Sequence, residues 1–463
     1  MTRIQRKIIC ALPPDSINRM RQTNATNPLE RRVVRRVTLR LIPFLFLLYI
    51  VAYLDRINVG FAALQMNTEL NLSHAVFGIG GGIFFIGYFL FEIPSNLILH
   101  RIGARIWIAR IMISWGLIAS AMMFVVGPKS FYALRFLLGV AEAGFFPGVI
   151  LYLTYWFPGR HLARNVAFFM TATPLAGVIG GPISGALLEM HGFGGISGWQ
   201  WLFLLEGLPA VLLGLLTLVC LPEGPEKAAW IPRAEKEWLL ERLAEERFGK
   251  ERERERDLSQ ALKSGRVWGL CLVYFCLVVA MYGITLWMPL IIKGISVSSD
   301  LMVGIISLFP YLAAAVFMVI VGISSDRTGE RRFHVAGSLA IAAIGFLLSC
   351  VAVSLAGKVV CLLIAAAGIW GALGPFWAFA GSFLSGTGAA GGIALINSVG
   401  NLGGFAGPTL MGFLRDSTGS YDRGLFLLGL IILLGGFVAC MLRQRTRSVD
   451  ESLFPRPALA KDV

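Results

Sequence analysis

The chain has 463 residues, of which 56% are hydrophobic and only 15% are charged. Soluble domains carry about 25% charged residues, so this much apolar surface needs lipid around it, which excludes a soluble globular protein. The net charge of +14 does not indicate nucleic-acid binding, because most of the 41 Lys and Arg lie in the tails and on one set of alternate loops. That asymmetry predicts that both termini are cytoplasmic and that the basic side chains attract anionic lipid.

Twelve apolar stretches, each long enough to cross a bilayer, follow one another along the chain. They lie at residues 38–63, 75–98, 105–127, 130–154, 163–188, 199–221, 267–292, 301–323, 334–355, 358–382, 391–414 and 424–442. The one long interruption is polar and contains a run of alternating charges, which is typical of a solvated helix or a flexible linker.

We therefore predict an all-α membrane protein with twelve transmembrane helices in two pseudo-symmetric bundles of six. The predicted parts are a cytoplasmic tail at 1–36, a first bundle at 37–221, a cytoplasmic linker at 222–266, a second bundle at 267–444 and a cytoplasmic tail at 445–463. We expect a monomer.

An internal repeat supports the division into two halves. Three residues of span five, Gly177, Gly181 and Pro182, recur in span eleven as Gly403, Gly407 and Pro408, 226 residues later. The loop after span two and the loop after span eight share an Arg and a Gly at the same offset. Transporters built from repeats bind substrate near the bilayer midplane between the halves and expose it to each side in turn.

The loop after span eight contains a specific constellation that we interpret as a cytoplasmic gate motif: Asp326, Arg327, Gly329 and Arg331. The Gly permits a tight turn, and the Arg side chains anchor at the cytoplasmic face. The Asp is expected to meet the N-terminus of a neighbouring helix.

Charged residues lie deep within two of the spans, namely Asp55 and Arg56 in span one and Arg135 and Glu142 in span four. A central Asp or Arg costs roughly 2.5–3.5 kcal/mol in a membrane, so these residues need partners or a task. In one interpretation, Asp55 and Arg135 form a static pair between the two spans. In the other, which is compatible with it, Arg56 or Arg135 binds an anionic substrate while Asp55 and Glu142 take up protons. For Glu142 the alternative is an inert buried acid.

Polar or aromatic side chains near mid-span are candidates to line a substrate pocket: Tyr53, Tyr88, Thr173, Tyr282, Trp377, Asn397 and Asn401. For each, the alternative is an anchoring or packing role. Glu92 and Glu206 are candidate gate or capping residues.

Other chemistries find little support in the sequence. The seven Cys show no CxxC pair and no cluster with His, so we expect neither a disulfide framework nor a metal site. The phosphate-cradling motif GxxxxGK[ST] does not occur, which argues against a pump driven by ATP. We therefore expect neither an enzyme nor a cofactor, with a proton gradient as the driving force.

From about Arg36 to Arg443 the chain resembles the major facilitator superfamily. Five segments are similar to its anion:cation symporter family, which includes bacterial permeases for tartrate, hexonates, hexuronates, phthalate and 4-hydroxyphenylacetate. They are Tyr53-Leu-Asp-Arg-Ile-Asn58, Phe91-Glu-Ile-Pro-Ser-Asn96, Gly103-Ala-Arg-Ile-Trp107, the stretch from Arg135 to Gly148, and Gly198-Trp-Gln-Trp201.

The resemblance implies proton-driven uptake of a carboxylate through an inner membrane. It also implies roles: Arg56 would bind the carboxylate, Asp55 and Glu142 would carry protons, and Arg135 would be their partner. Tyr53, Tyr88, Trp377 and Asn397 match positions that line the site of the family. Where hexonate carriers tend to have a Gln in span five, this chain has Thr173, which favours a shorter dicarboxylate or an aromatic acid.

The sequence therefore predicts a symporter that takes up a small organic anion together with protons. Two alternatives stay open: a carboxylate sensor that does not transport and signals through the linker, and an exporter or exchanger on the same fold.

Overall fold

The computed structural model describes residues 28–251, 264–295, 299–383 and 388–442. These residues form sixteen α-helices, three short 3-10 helices and no strand. The predicted tail at 445–463 and residues 1–27 of the other predicted tail lie outside the described ranges.

The helices of the first half account for spans one to six, in chain order. They are Pro28–Glu69, His74–Ile102, Ala104–Ala121, Pro128–Glu142 with Phe145–Thr154, Gly159–Met170 with Ala172–Leu188, and Gly198–Cys220. Within the linker, a helix covers Arg233–Glu251.

The helices of the second half account for spans seven to twelve. They are Gly265–Lys293, Asp300–Thr328, Arg332–Ser349, Leu355–Phe383, Gly388–Asn401 with Gly403–Thr418, and Asp422–Met441. Within the described ranges, eleven spans are long and apolar enough to cross a membrane, and span eleven is divided at Leu402 into two shorter helices. The chain is thus a multi-pass membrane protein, and the predicted fold class is confirmed.

Spans four and five are each interrupted where a proline removes a backbone donor. Pro147 has no N–H for the carbonyl of Ala143, four residues earlier, and the Ser95 hydroxyl of span two donates to that carbonyl at 2.6 Å. In span five, Pro174 leaves the carbonyl of Met170 without its helical donor, and the Thr173 hydroxyl supplies one at 3.1 Å. The breaks lie beside the central cavity, so they shape its wall.

The two halves meet through pairs of spans related by the repeat, span five against span eight and span two against span eleven. A Cβ built on Gly181 would lie 2.6 Å from the carbonyl oxygen of Gly304, and one built on Gly304 would lie 2.2 Å from that of Gly181. The backbones are therefore in direct contact, which is the close approach that small residues allow in membrane helices.

The two ends of the bundle differ in how the halves are joined. We call the end that carries the linker helix the linker face, and the other end the opposite face. At the opposite face, Gln65 donates to Asp300 at 2.8 Å, and the N–H of Leu301 donates to Glu189 at 3.2 Å. Asp416 accepts from two N–H groups at the N-terminus of span two, the nearer at 2.8 Å. The halves are thus closed together at this face.

The described part of the linker is docked on the first half. Arg36 of span one forms an ion pair with Glu235 at 2.9 Å, and Glu246 accepts from the N–H of Gly159 at 2.9 Å. Trp230 stacks on Trp156 with ring centroids 5.8 Å apart. The linker helix therefore belongs structurally to the first bundle.

The predicted gate motif forms a tight turn at the linker face, but one of its expected contacts is wrong. Gly329 has φ +68°, the left-handed conformation that favours glycine, and Gly103 of the first repeat has φ +98°. Asp326 does not cap a neighbouring helix; its side chain is 74% exposed and accepts from Arg331 at 2.6 Å. Glu330 accepts from the N–H of Phe333 at 2.8 Å instead, because it lies two residues before the helix of span nine.

Candidate functional site

A cavity lies between the halves, bounded by side chains from spans one, two, four, five, seven, ten and eleven. Its volume of about 60 Å³ is room for a few water molecules only. The lining residues are Tyr49, Tyr53, Arg56, Tyr88, Phe146, Met170, Thr173, Tyr274, Met281, Tyr282, Leu373, Asn397 and Asn401. Six of these thirteen residues are aromatic, one is a cation and two are amides.

Arg56 is the cation of this cavity, and its guanidinium joins both halves of the molecule. Its Nε donates to Glu142 Oε1 at 2.7 Å, and a terminal nitrogen lies 2.5 Å from the same oxygen. Its other terminal nitrogen donates to the hydroxyl of Tyr282 in span seven at 3.1 Å. The rings of Phe84 and Tyr88 lie within 5.7 Å of its carbon Cζ. Arg56 thus has a carboxylate, a phenol and aromatic faces around it.

Glu142 is the last residue of the first helix of span four, directly before the break that Pro147 causes. The side chain is buried, and its Oε2 has no hydrogen-bond partner in the part of the chain that the structure describes. All of its observed bonds come from Arg56. If Arg56 moved to another anion, Glu142 would become a buried acid with no observed donor, which is a chemical reason for it to bind a proton.

The predicted pair between Asp55 and Arg135 is not formed. Asp55 accepts from the indole N–H of Trp115 at 2.7 Å and from Asn58 at 3.1 Å, inside the first half. Arg135 donates to the carbonyls of Gly80 and Gly81 in span two at 3.3 and 3.0 Å. The prediction matched these residues by depth, but their partners depend on which way each side chain points around its helix. The ion pair that joins spans one and four is Arg56 with Glu142.

The remaining predicted pocket residues divide into two groups. Tyr53, Tyr88, Thr173, Tyr282, Asn397 and Asn401 line the cavity, and the buried hydroxyl of Tyr53 has no hydrogen-bond partner among the described residues.

Trp377 is not among the lining residues. Its ring packs against Tyr274 with centroids 5.0 Å apart, so it supports a lining residue from behind.

Two further buried acids have partners that the sequence did not indicate. Glu92 of span two accepts from Asn397 at 2.7 Å and from Ser398 at 3.2 Å, both in the second half. Glu206 accepts from Ser184 at 2.7 Å within the first half, and its second oxygen has no partner. Glu92 therefore bridges the halves, whereas Glu206 does not.

Sequence reasoning missed several lining residues, of which Tyr49 and Tyr274 are polar. Helical periodicity could have found Tyr49, because Tyr49, Tyr53 and Arg56 recur at intervals of four and three residues and so share one face of span one. The same rule links Tyr274 to Met281 and Tyr282 on span seven. Apolar lining residues such as Leu373 carry no sequence signal that separates them from packing residues.

The chain matches a family model described as "Major Facilitator Superfamily" over residues 45–408. It is 51% identical over 416 residues to the "Putative tartrate transporter" of Agrobacterium vitis, covering 90% of this chain and 96% of that protein. It is 43% identical over 426 residues to the "Quinolone resistance transporter" of Acinetobacter baumannii, covering 91% of this chain and 98% of that protein.

Among solved structures, the fold is similar to that of a bacterial homolog of the human lysosomal transporter Spinster. The TM-score is 0.70 at 17% sequence identity, and the match covers 87% of this chain and 96% of that chain. At this identity the likeness concerns the fold alone.

Proposed function

The chain belongs to the major facilitator superfamily and is a membrane transporter; on that premise we propose that it takes up a small organic carboxylate together with protons, by alternating access. The single observation that carries this proposal is the ion pair of Arg56 with Glu142 in the wall of the central cavity. It combines an anion-binding cation with a buried acid in one contact.

The proposed coupling is an exchange of partners at Arg56. The guanidinium has a planar fork of donors that matches a carboxylate, so a substrate carboxylate can replace Glu142 there. Glu142 would then lose the donors that hold its charge, and binding a proton removes the cost of that buried charge. Substrate binding and proton binding thereby favour each other without any covalent step.

A short dicarboxylate such as tartrate is the substrate class that we favour. The cavity offers donors on both sides: Arg56 and Tyr53 from the first half, Asn397 and Asn401 from the second. The 51% identical relative is named for tartrate, which supports the same choice. We place the protein in a bacterial inner membrane with both termini in the cytoplasm, on the basis of its charge distribution.

An exporter or exchanger on the same fold is the second candidate, because one relative is named for quinolone resistance. A sensor that binds a carboxylate without transporting it is the third.

The test is uptake of labelled carboxylates into proteoliposomes under an imposed proton gradient, with tartrate, phthalate and galactonate compared in parallel. We expect accumulation of at least one of them that a protonophore abolishes. Flux that is independent of the gradient would favour an exchanger, and binding without flux would favour a sensor. Absence of gradient-driven uptake for every compound would overturn the symport proposal.

A further inference from the structure

Glu92 occupies an unusual position for a buried acid, because both of its hydrogen-bond donors belong to the other half of the molecule. It lies in the linker-face half of span two and is only 5% exposed. Asn397 donates to its Oε1 at 2.7 Å and Ser398 donates to its Oε2 at 3.2 Å, so both oxygens are engaged. Hydrogen bonds to an ionised group are shorter and stronger than neutral ones, so this contact is a substantial link between spans two and eleven.

The contact lies between the cavity and the linker face. Tyr88, one helical turn before Glu92 on span two, lines the cavity, and so does Asn397 itself. Span two continues from Glu92 to Ile102 at the linker face. The contact therefore joins the two halves on the linker side of the cavity, and the halves cannot separate there without breaking it.

The hydrogen bond to Asn397 has a second consequence. The Asn397 amide lines the cavity, where it can donate a hydrogen bond to a ligand. In the structure it already donates to the carboxylate of Glu92. The side of the cavity that carries the cation is in the same state, since Glu142 accepts from Arg56. A carboxylate ligand would thus compete with Glu92 for Asn397, as it would with Glu142 for Arg56.

We propose that Glu92 is an internal lock: its carboxylate holds spans two and eleven together on the linker side of the cavity and is released when a ligand carboxylate takes over Asn397. The competition with ligand rests on the proposed function, whereas the locking of the two halves does not. Glu92 is in this sense a positioning residue, because it acts on the mouth of the cavity through Asn397 and Ser398.

The lock is tested by the access of a small, charged thiol reagent to the cavity in the purified full-length protein. A reporter cysteine at the cavity-lining position Met170 is labelled in the absence of ligand, and its labelling is followed by mass spectrometry so that the native cysteines do not interfere. We expect Glu92→Ala to raise the labelling rate about tenfold, the scale of one lost hydrogen bond to a charged group. Glu92→Gln, which keeps an acceptor oxygen, should give a smaller increase.

Two further variants separate a lock from a general loss of packing. Asn397→Ala removes the main donor from the other half, so it should raise the labelling rate by itself and add little when combined with Glu92→Ala. If one of the two variants fails to fold, the labelling rate of the other variant still tests the lock. An unchanged labelling rate in Glu92→Ala, or full additivity of the two substitutions, would overturn the lock.

The competition is tested by isothermal titration with tartrate as the probe. Removing the competitor in Glu92→Ala should strengthen tartrate binding, whereas removing the donor in Asn397→Ala should weaken it. A purely structural role of Glu92 predicts weaker or equal binding in both variants, which would overturn the competition. If tartrate fails to bind the unmodified protein, the proposed substrate is wrong, and the labelling rates still decide whether the lock exists.

Discussion

At the scale of single residues, Arg56 makes the contact on which the proposed function depends. Its Nε and both terminal nitrogens contact Glu142 and Tyr282 within 3.1 Å. A Lys ammonium is a compact charge that does not reproduce this planar fork. We expect Arg56→Lys to weaken tartrate binding at least tenfold, measured by titration calorimetry, since one charge-assisted hydrogen bond is worth about 1.5–3 kcal/mol. Retained affinity would show that Arg56 does not hold the substrate carboxylate.

Arg110 provides a matched control for this substitution. It is a partly buried Arg of span three that stacks on the ring of Trp107 at 3.8 Å, and it is not among the cavity-lining residues. Arg110→Lys should leave tartrate affinity within twofold of the unmodified protein.

A substitution of Glu142 can separate the coupling of transport to protons from the binding of substrate. Glu142→Gln keeps the shape of the side chain but cannot take up a proton, so we expect it to abolish accumulation of tartrate against its gradient. Exchange of internal for external tartrate, which needs no net proton movement, should continue. The two are measured as gradient-driven uptake and as counterflow in the same proteoliposomes. If accumulation persists in Glu142→Gln, the residue is an inert buried acid, the alternative that its sequence position left open.

The sequence could identify the charged residues of the site but not their pairing. The cost of a charge in lipid singles out Asp55, Arg56, Arg135 and Glu142 from the hydropathy pattern alone. Depth follows from counting residues along a span. The direction of a side chain around its helix depends on how neighbouring spans are rotated, and tertiary packing sets that rotation. For this reason Asp55 meets Trp115, and Arg56 rather than Arg135 meets Glu142.

At the scale of the elements, the structure brings two sequence motifs that are distant along the chain into direct contact. The Glu92-Ile-Pro-Ser95 segment supplies Ser95, whose hydroxyl donates to the carbonyl that Pro147 leaves free in span four. Ser95 also accepts from the indole N–H of Trp107 at 2.9 Å, so it connects spans two, three and four. The resemblance to a family presented these segments separately, whereas their contact required the structure.

Ser95→Ala is therefore expected to destabilise the protein by about 1–3 kcal/mol, because it leaves a buried carbonyl and a partly buried indole N–H without partners. The measurement is the denaturation midpoint of the detergent-solubilised protein. Ser114→Ala is the control: its hydroxyl donates at 2.8 Å to the carbonyl of Arg110 within its own helix, so its loss should change stability by less than about 0.5 kcal/mol. Equal effects of the two substitutions would contradict this account of the break in span four.

At the scale of the whole molecule, the repeat predicted the fold, but it does not specify a conformation. The shared offset of Gly177, Gly181 and Pro182 with their second-half counterparts indicates two related bundles, and the structure pairs span five with span eight as it pairs span two with span eleven. Which face is closed follows from contacts such as Gln65 with Asp300, between residues far apart in sequence. The proposed alternating access requires both states, so one sequence would have to encode contacts for each.

The contact of Gly181 with Gly304 gives a way to shift the balance between these states. A side chain at position 304 would collide with the backbone of span five, which cannot move aside as the end of a flexible side chain can. We expect Gly304→Leu to separate the halves at the opposite face, increasing the distance between spin labels at Glu189 and Leu301. Gly322→Leu, on the same helix, is the matched control, because a Cβ built on Gly322 has no neighbouring atom within 4 Å. If both variants keep the short distance, closure of the opposite face does not depend on backbone contact between spans five and eight.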